Sequence, residues 1–213
     1  MGAYTILLGG DLVATPRLRE QVKHSKLVAA DSGIKHVAAL NMKPSLWVGD
    51  FDSCTPQELE KYSGVEKLSF PSSKDKTDGQ IAIEAALSNG ATELILCGAF
   101  GGPRLDHCLA HIAMCMALTE RGIKVLLTSG NQEGRALLPG ATIYDWPVGT
   151  QFSIIGLSKL DGLAIEGAEW SIDNLQPLDI DFGSTHTLSN IVRGTLKLQL
   201  SLGKAVIVAA LNQ

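Results

Sequence analysis

Five aspartates stand in short polar stretches behind apolar runs. Asp31 follows KLVAA, and Asp50 and Asp52 follow LWVG. Asp78 comes shortly after VEKLSF, and Asp106 follows ELILCGAF across a glycine-rich turn. Asp50 and Asp52 have i, i+2 spacing, which on an extended segment puts both carboxylates on one side, roughly 7 Å apart. Like charges this close raise each other's pKa unless a cation joins them. Hard divalent ions such as Mg²⁺ prefer carboxylate oxygen and keep water and phosphate as further ligands. The pair therefore points to Mg²⁺ holding a polyphosphate. Helix capping alone accounts for Asp31 or Asp78 taken singly, but a cap needs no Asp-x-Asp.

Other residues fit the same chemistry. Arg104 has the fork that meets phosphate oxygens in pairs. Lys74 and Lys76 read equally as phosphate contacts or as solvated loop lysines. Gly98, Gly101 and Gly102 let backbone amides approach a ligand at the start of the following helix, where anions bind. Several familiar sites are missing. The one Gly-Lys is Gly203-Lys204, followed by Ala205, so there is no Walker A loop, and neither GxGxxG nor GxSxG occurs. His107 and His111 have i, i+4 spacing but lack the glutamate of HExxH.

The elements that must position these residues alternate over the first 130 positions. Strands are expected at 4–8, 26–30, 46–49, 65–70, 93–97 and 124–128. Runs such as LVAA and LILC suit strands covered on both faces of a parallel sheet. Thr55-Pro56-Gln57-Glu58 and Thr77-Asp78-Gly79-Gln80 read as capping boxes, the second opening a helix that ends at Asn89-Gly90. A third helix over 105–121 places Leu105, Leu109, Ile112 and Met116 on one face. This alternation predicts a doubly wound, mostly parallel α/β sheet domain over 1–130, whose ligands bind outside the carboxyl ends of the strands. From 131 to 213 short strand patterns take over. Thr195–Leu202 alternates as a strand with one wet face, and Gly203-Lys204 reads as a hairpin turn. A small antiparallel β-sandwich domain is expected there, marginal at roughly 80 residues on its own.

Composition excludes some partners. The chain has 213 residues, 45% hydrophobic and 19% charged, with a net charge of −4. That suits a buried core and gives no electrostatic footprint for nucleic acid. No apolar run reaches the roughly 18 residues of a membrane span. The N-terminus reads as a first strand instead of a signal peptide. Cys54, Cys97, Cys108 and Cys115 form no CxxC pair and read as buried, reduced thiols of a cytoplasmic protein.

Taken in order, the blocks Ala30–Gly33, Gly49-Asp50-Phe51-Asp52-Ser53, Lys74-Asp75-Lys76-Thr77-Asp78, Gly98–His107 and Ser189-Asn190 resemble the thiamine pyrophosphokinase family across nearly the whole chain. The resemblance implies an N-terminal ATP- and Mg²⁺-binding catalytic domain. It also implies a C-terminal thiamine-binding and dimerisation domain, and a homodimer with active sites at its interface. The implied reaction moves the diphosphoryl group of ATP to the hydroxyl of thiamine and releases AMP. By motif, Asp50, Asp52 and Asp78 hold Mg²⁺ and the ATP phosphates, Arg104 contacts phosphate, and Asp106 orients Arg104 or the attacking alcohol. Asp31, Ser53, Lys74, Asp75, Thr77, Gly101 and Gly102 join the nucleotide site, while Ser189 and Asn190 help form the thiamine pocket. Trp170 reads as a buried aromatic of the sandwich, with stacking on a thiamine ring as the alternative.

Two other readings compete. Asp-x-Asp behind a strand is also the haloacid-dehalogenase phosphatase pattern, with Asp50 as nucleophile. Here, however, Cys54 stands where that pattern has Thr or Val, and the motif follows the third strand instead of the first. A non-catalytic nucleotide- or thiamine-binding module is the other, opposed by the number of unpaired carboxylates an idle site would keep.

Overall fold

The apolar runs of the first 130 residues pair as parallel strands. The computed structural model describes residues 2–70 and 75–211. The chain divides into two compact units, Met1–Gly130 and Asn131–Gln213. The first unit opens with β1 (Gly2–Leu7), α1 (Pro16–Val22) and β2 (Lys26–Ala30). A 3-10 helix (Asp31–His36), α2 (Val37–Leu40), β3 (Pro44–Gly49), α3 (Pro56–Lys61) and β4 (Lys67–Ser69) follow. It closes with α4 (Asp78–Ser88), β5 (Ala91–Cys97), α5 (Leu105–Glu120) and β6 (Lys124–Thr128).

Every strand pair in this unit is parallel, in the order β4-β3-β2-β1-β5-β6. The chain walks outward from β1 to β4, then returns to the opposite side of β1 as β5. The carboxyl ends of β1 and β5 therefore flank the point where strand order reverses, the place where open α/β sheets bind ligands.

The helices start where short polar residues accept the first free amides. Thr55 caps α3 with a reciprocal capping box, its hydroxyl accepting from Glu58 N and Glu58 reaching back to the Thr55 amide. Thr77 caps α4, accepting from Gln80 N. The reverse bond expected of Gln80 does not form; its side-chain Nε2 donates to Glu84. α1 has the same signature, a Thr15 cap before Pro16, which the sequence reading passed over. On α5 the expected apolar face is covered only at its far end, at Met116 and partly at Ile112. Leu105 and Leu109 are 71% and 59% exposed, and the buried residues are His111, Cys115, Met116 and Leu118. The first turns of α5 rise from the glycine-rich loop at the sheet's rim, so core contact begins only at His111. Of the four free thiols only Cys97 and Cys115 are buried; Cys54 and Cys108 are half-buried.

The second unit is antiparallel. Its strands are β7 (Gln132–Leu137), β8 (Gly140–Tyr144), β9 (Gln151–Gly156), β10 (Leu160–Ala168), β11 (Leu178–Ile180), β12 (Asn190–Leu200) and β13 (Ala205–Ala210). β13 pairs with β7 and β9, while β12 pairs with β8, β10 and, at its first two residues, β9. The expected alternation of β12 holds, with Leu196, Leu198 and Leu200 buried in a core that includes Trp146 and Phe152. The hairpin expected at Gly203-Lys204 does not form. β12 and β13 turn to different partners there, so those residues form a crossing. β7 and β11 were not anticipated. QEGRAL lacks an apolar pattern, yet it buries Glu133, whose Oε2 accepts from Trp146 Nε1 at 2.8 Å. The chain thus contains both parallel and antiparallel sheet, and its described α-helices all lie in the first unit.

Candidate active site

The strands of the first unit deliver their loops to one edge. Behind β1 come Gly9, Gly10 and Asp11. Lys35 Nζ donates to Gly9 O at 2.7 Å, and His36 Nε2 donates to Gly10 O at 2.9 Å. A Cβ on Gly10 would come within 2.4 Å of Gly98 O, and Gly98 has φ +76°. The β1 and β5 loops therefore touch backbone to backbone, a contact that only glycine permits. Asp11 Oδ2 seals it, accepting from Gly102 N at 2.8 Å.

Behind β2 and β3 the acids converge. Asp31 and Phe51, both non-glycine, lie in the left-handed region with φ +44° and +63°. Such conformations cost on the order of 1–3 kcal/mol and persist only where surroundings impose them. Here they aim three carboxylates together: one oxygen each of Asp31, Asp50 and Asp52 lies within 4.8 Å of the others. Asp52 N donates to Asp50 Oδ1 at 3.3 Å. The negative charge of Asp50, first of all, pushes the Asp52 carboxyl above its ordinary value. Asp50's hydrogen bond, slight burial, and the charges of Asp31 and Asp78 add to it. Asp31 is gripped at both oxygens, by Ser53 Oγ and by Cys54 Sγ at 3.6 Å. Burial, followed by the charge of Asp31, pushes the Cys54 thiol up to about 12, so it stays protonated and can donate.

Behind β4 come Thr77 and Asp78 at the start of α4. Asp78 lies outside the trio of Asp31, Asp50 and Asp52 but lines the same cavity. As the first residue of α4, Asp78 sits in the positive field of the helix N-terminus. Lys76 Nζ is engaged by Glu84 at 2.7 Å. Behind β5, Arg104 forks onto Asp106, with Nε to Oδ1 at 2.9 Å and the terminal nitrogen to Oδ2 at 2.6 Å. That hydrogen-bonded guanidinium holds the Asp106 carboxyl down at about 2. His111 Nδ1 donates to Ala99 O at 3.0 Å, and burial lowers the ring's pKa.

These loops enclose a cavity of about 500 Å³. Asp31, Asp50, Ser53, Thr77, Asp78, Gly101, Gly102 and Arg104 line it, with Gly9, Gly10, Lys76, His107 and His111. Asp52 joins through the trio, while Asp75 is exposed and Asp106 reaches the cavity only through Arg104. Lys74 lies outside the described residues. Gly9, Gly10 and Asp11 were missed, although the strand-end rule applied to β1 points to them.

The second unit has a cavity of its own, about 440 Å³, lined by Ile165, Trp170, Ile172, Leu178, His186 and Asn190 among others. Trp170 is 58% exposed, which corrects its reading as a buried aromatic. Asn190 is buried and locked: its Oδ1 accepts from Trp170 N and Ile191 N, and its Nδ2 donates to Trp170 O. Ser189, left-handed at φ +61°, donates its amide to Ser153 Oγ at 3.0 Å and lies outside the cavity lining.

Residues 18–127 match the family model described as thiamin pyrophosphokinase, catalytic domain. The chain belongs to this family. It is 26% identical over 219 residues to the thiamine pyrophosphokinase of Bacillus subtilis, covering 98% of this chain and 97% of that protein. The crystal structure of thiamine pyrophosphokinase from Bacillus subtilis superposes with a TM-score of 0.85 at 23% identity, over 99% of this chain and 100% of the other. Thiamin pyrophosphokinase from Candida albicans superposes with a TM-score of 0.81 at 17% identity, over 99% and 89%. These superpositions show the thiamin pyrophosphokinase fold, a mixed α/β sheet. Membership in the family favours neither the phosphatase nor the idle binding module.

Proposed function

We propose that this chain is an ATP:thiamine diphosphotransferase. The thiamine hydroxyl oxygen bonds to the β-phosphorus of ATP, the α–β bridging P–O bond breaks, AMP leaves with the bridging oxygen, and the hydroxyl proton is released. The observation carrying this reading is the convergence of the Asp31, Asp50 and Asp52 carboxylates on the cavity rim of a chain in this family.

The donor set fits Mg²⁺. Three crowded carboxylate oxygens, one group already resisting ionisation, are what a hard divalent cation relieves. Asp31, Asp50 and Asp52 would hold it, with Asp78 beside them. Bound there, Mg²⁺ supplies neutralising charge to the polyphosphate. The protein's own groups do the rest. Arg104, oriented by Asp106, presents its guanidinium to the cavity, and the close backbone contact that Gly10 and Gly98 permit fixes the β1 and β5 loops along its wall. Thr77, Ser53, Gly102, Asp75 and Lys74 complete the nucleotide side of the reading. Positioning and charge neutralisation are the main demands of phosphoryl-type transfer.

The finer architecture belongs to the same reading. The first unit is a doubly wound nucleotide domain over 1–130. The second is a β-sandwich over 131–213 whose cavity takes thiamine, with Trp170 stacking on a ring and Ser189 and Asn190 shaping the wall. The enzyme is a homodimer, a reading supported by the exposed Leu105 and Leu109 on α5. Its free thiols suit the reducing cytoplasm, and no helix among the described residues is long and apolar enough to cross a membrane.

Incubation with ATP, Mg²⁺ and thiamine should yield AMP and thiamine diphosphate in equal amounts. ADP as the nucleotide product, or no turnover of thiamine, would overturn the assignment. Sedimentation should give twice the 22.6 kDa chain mass.

A further inference from the structure

We infer that Trp47 and Phe51 are positioning residues for the carboxylate trio, an inference that rests on the metal-binding reading above. Trp47 is fully buried on β3. Its indole Nε1 donates to the backbone carbonyl of Asp31 at 2.9 Å. The residue it holds is left-handed at φ +44°. The same indole meets the Phe51 ring edge to face, with centroids 4.9 Å apart and planes at 75°. Phe51 is the rim's other left-handed residue, standing between Asp50 and Asp52. One side chain thus contacts both strained turns of the acid rim. Lys67 Nζ stands 5.1 Å from the Trp47 ring centroid and 5.5 Å from that of Phe51, so a cation covers the pair from the neighbouring strand β4.

The physical argument concerns repulsion. Three carboxylates without a cation push apart, and left-handed Asp31 and Phe51 would gain by relaxing to ordinary backbone angles. Both forces open the trio. The indole hydrogen bond opposes the first turn's relaxation, and the edge-to-face ring contact opposes the second's. The aromatic pair therefore keeps the oxygens gathered before the cation arrives, so less reorganisation is needed on binding. Groups that orient metal ligands from behind typically carry ten- to hundredfold in affinity.

Mn²⁺ alone, with no nucleotide, is the probe, and free Mn²⁺ is followed by electron paramagnetic resonance. Wild-type protein should bind it, and Asp50→Asn should abolish binding; if wild type binds none, the metal reading itself fails. Trp47→Phe keeps a ring but removes the N–H, and should weaken Mn²⁺ roughly ten- to hundredfold while leaving KM for thiamine unchanged. Phe51→Leu should weaken it in the same direction and serves if Trp47→Phe does not fold. Tyr62→Leu is the control. Tyr62 packs on the same indole at 6.3 Å, and its loss should lower Tm without moving Mn²⁺ affinity. Wild-type Mn²⁺ affinity in both Trp47→Phe and Phe51→Leu overturns the inference. So does a Tyr62→Leu protein that loses affinity to the same extent, because the aromatic cluster would then act through stability alone.

Discussion

The acid rim of the first unit and the cavity of the second are built on opposite plans. At the rim, polar groups are exposed or half-exposed, share like charge, and sit on strained backbone at Asp31 and Phe51. In the second cavity the central polar group, Asn190, is only 4% exposed and its amide is satisfied by backbone partners. The rim is poised for something absent from the chain itself, whereas Asn190 already has its partners. Changes at the rim should therefore cost function with little stability, and changes at Asn190 should cost stability first.

The sharpest break in that comparison is Asp50→Asn. It removes one charge from the trio while keeping shape. Turnover should fall about a thousandfold, the scale of losing one group that stabilises developing charge. Circular dichroism should be unchanged, and Tm without added metal should not fall. A loss of activity accompanied by unfolding would show that the rim is a structural feature instead.

The reverse behaviour is expected of Asn190→Ala. Trp170 N and O and Ile191 N would lose their partner in a buried setting, at about 2–3 kcal/mol. For a chain of this size that is a Tm drop of roughly 5–10 °C. Trp170→Ala, beside it, should leave Tm nearly untouched because the ring is mostly exposed. It should raise KM for thiamine by up to about tenfold through lost stacking, with Trp170→Phe retaining most of the affinity.

What was legible from sequence follows the same division. The parallel strands showed because burial on both faces forces continuous apolar runs. The strand ends showed because loops there must carry the polar chemistry. Thr55 and Thr77 were readable as caps because capping is local. Asp11 stands where the strand-end rule points behind β1, but its role shows only with its partner, the amide of Gly102, 91 residues away. The approach of Asp31 to Asp50 and Asp52 was not legible, because the left-handed backbone of Asp31 has no signature in an Asp-Ser-Gly string. Strand β7 was missed because the burial of Glu133 depends on Trp146, thirteen residues on, and the apparent hairpin at Gly203 because turn residues do not reveal which strand comes next.

Acid sharpens the contrast further. The Asp52 carboxyl is raised chiefly by Asp50, so its ionised form is disfavoured in the fold. A raised carboxyl pKa means the folded state holds its proton more tightly than the unfolded chain. Relative to Asp52→Asn, metal-free wild type should then gain stability as pH falls from neutral through the raised value toward the ordinary carboxylate range, while His36 and His111, whose ring pKa values burial lowers, pull both proteins the other way. Mn²⁺ and Mg²⁺ affinity should fall over that same window, because protons compete for the trio. Asp52→Asn should raise Tm in chelator at neutral pH and flatten the pH dependence of metal affinity. A Tm gap between wild type and Asp52→Asn that widens with acid over that window would break this account.

The smallest effect belongs to the Arg104–Asp106 fork. Both side chains are 63% exposed, so solvent screens the pair and its contribution to stability is slight. Asp106→Asn should move Tm by less than about 2 °C. Activity should nonetheless fall between about three- and tenfold, as a freed guanidinium loses one orienting partner. The Asp106 carboxyl is held down at about 2, so the pair's contribution is complete above the ordinary carboxylate range and is lost only as pH falls through that value. Wild type and Asp106→Asn should therefore keep a constant activity ratio from pH 6 to 9. A ratio that drifts across that range would mean Asp106 exchanges a proton with substrate, which would move it from orienting Arg104 to acting on the alcohol.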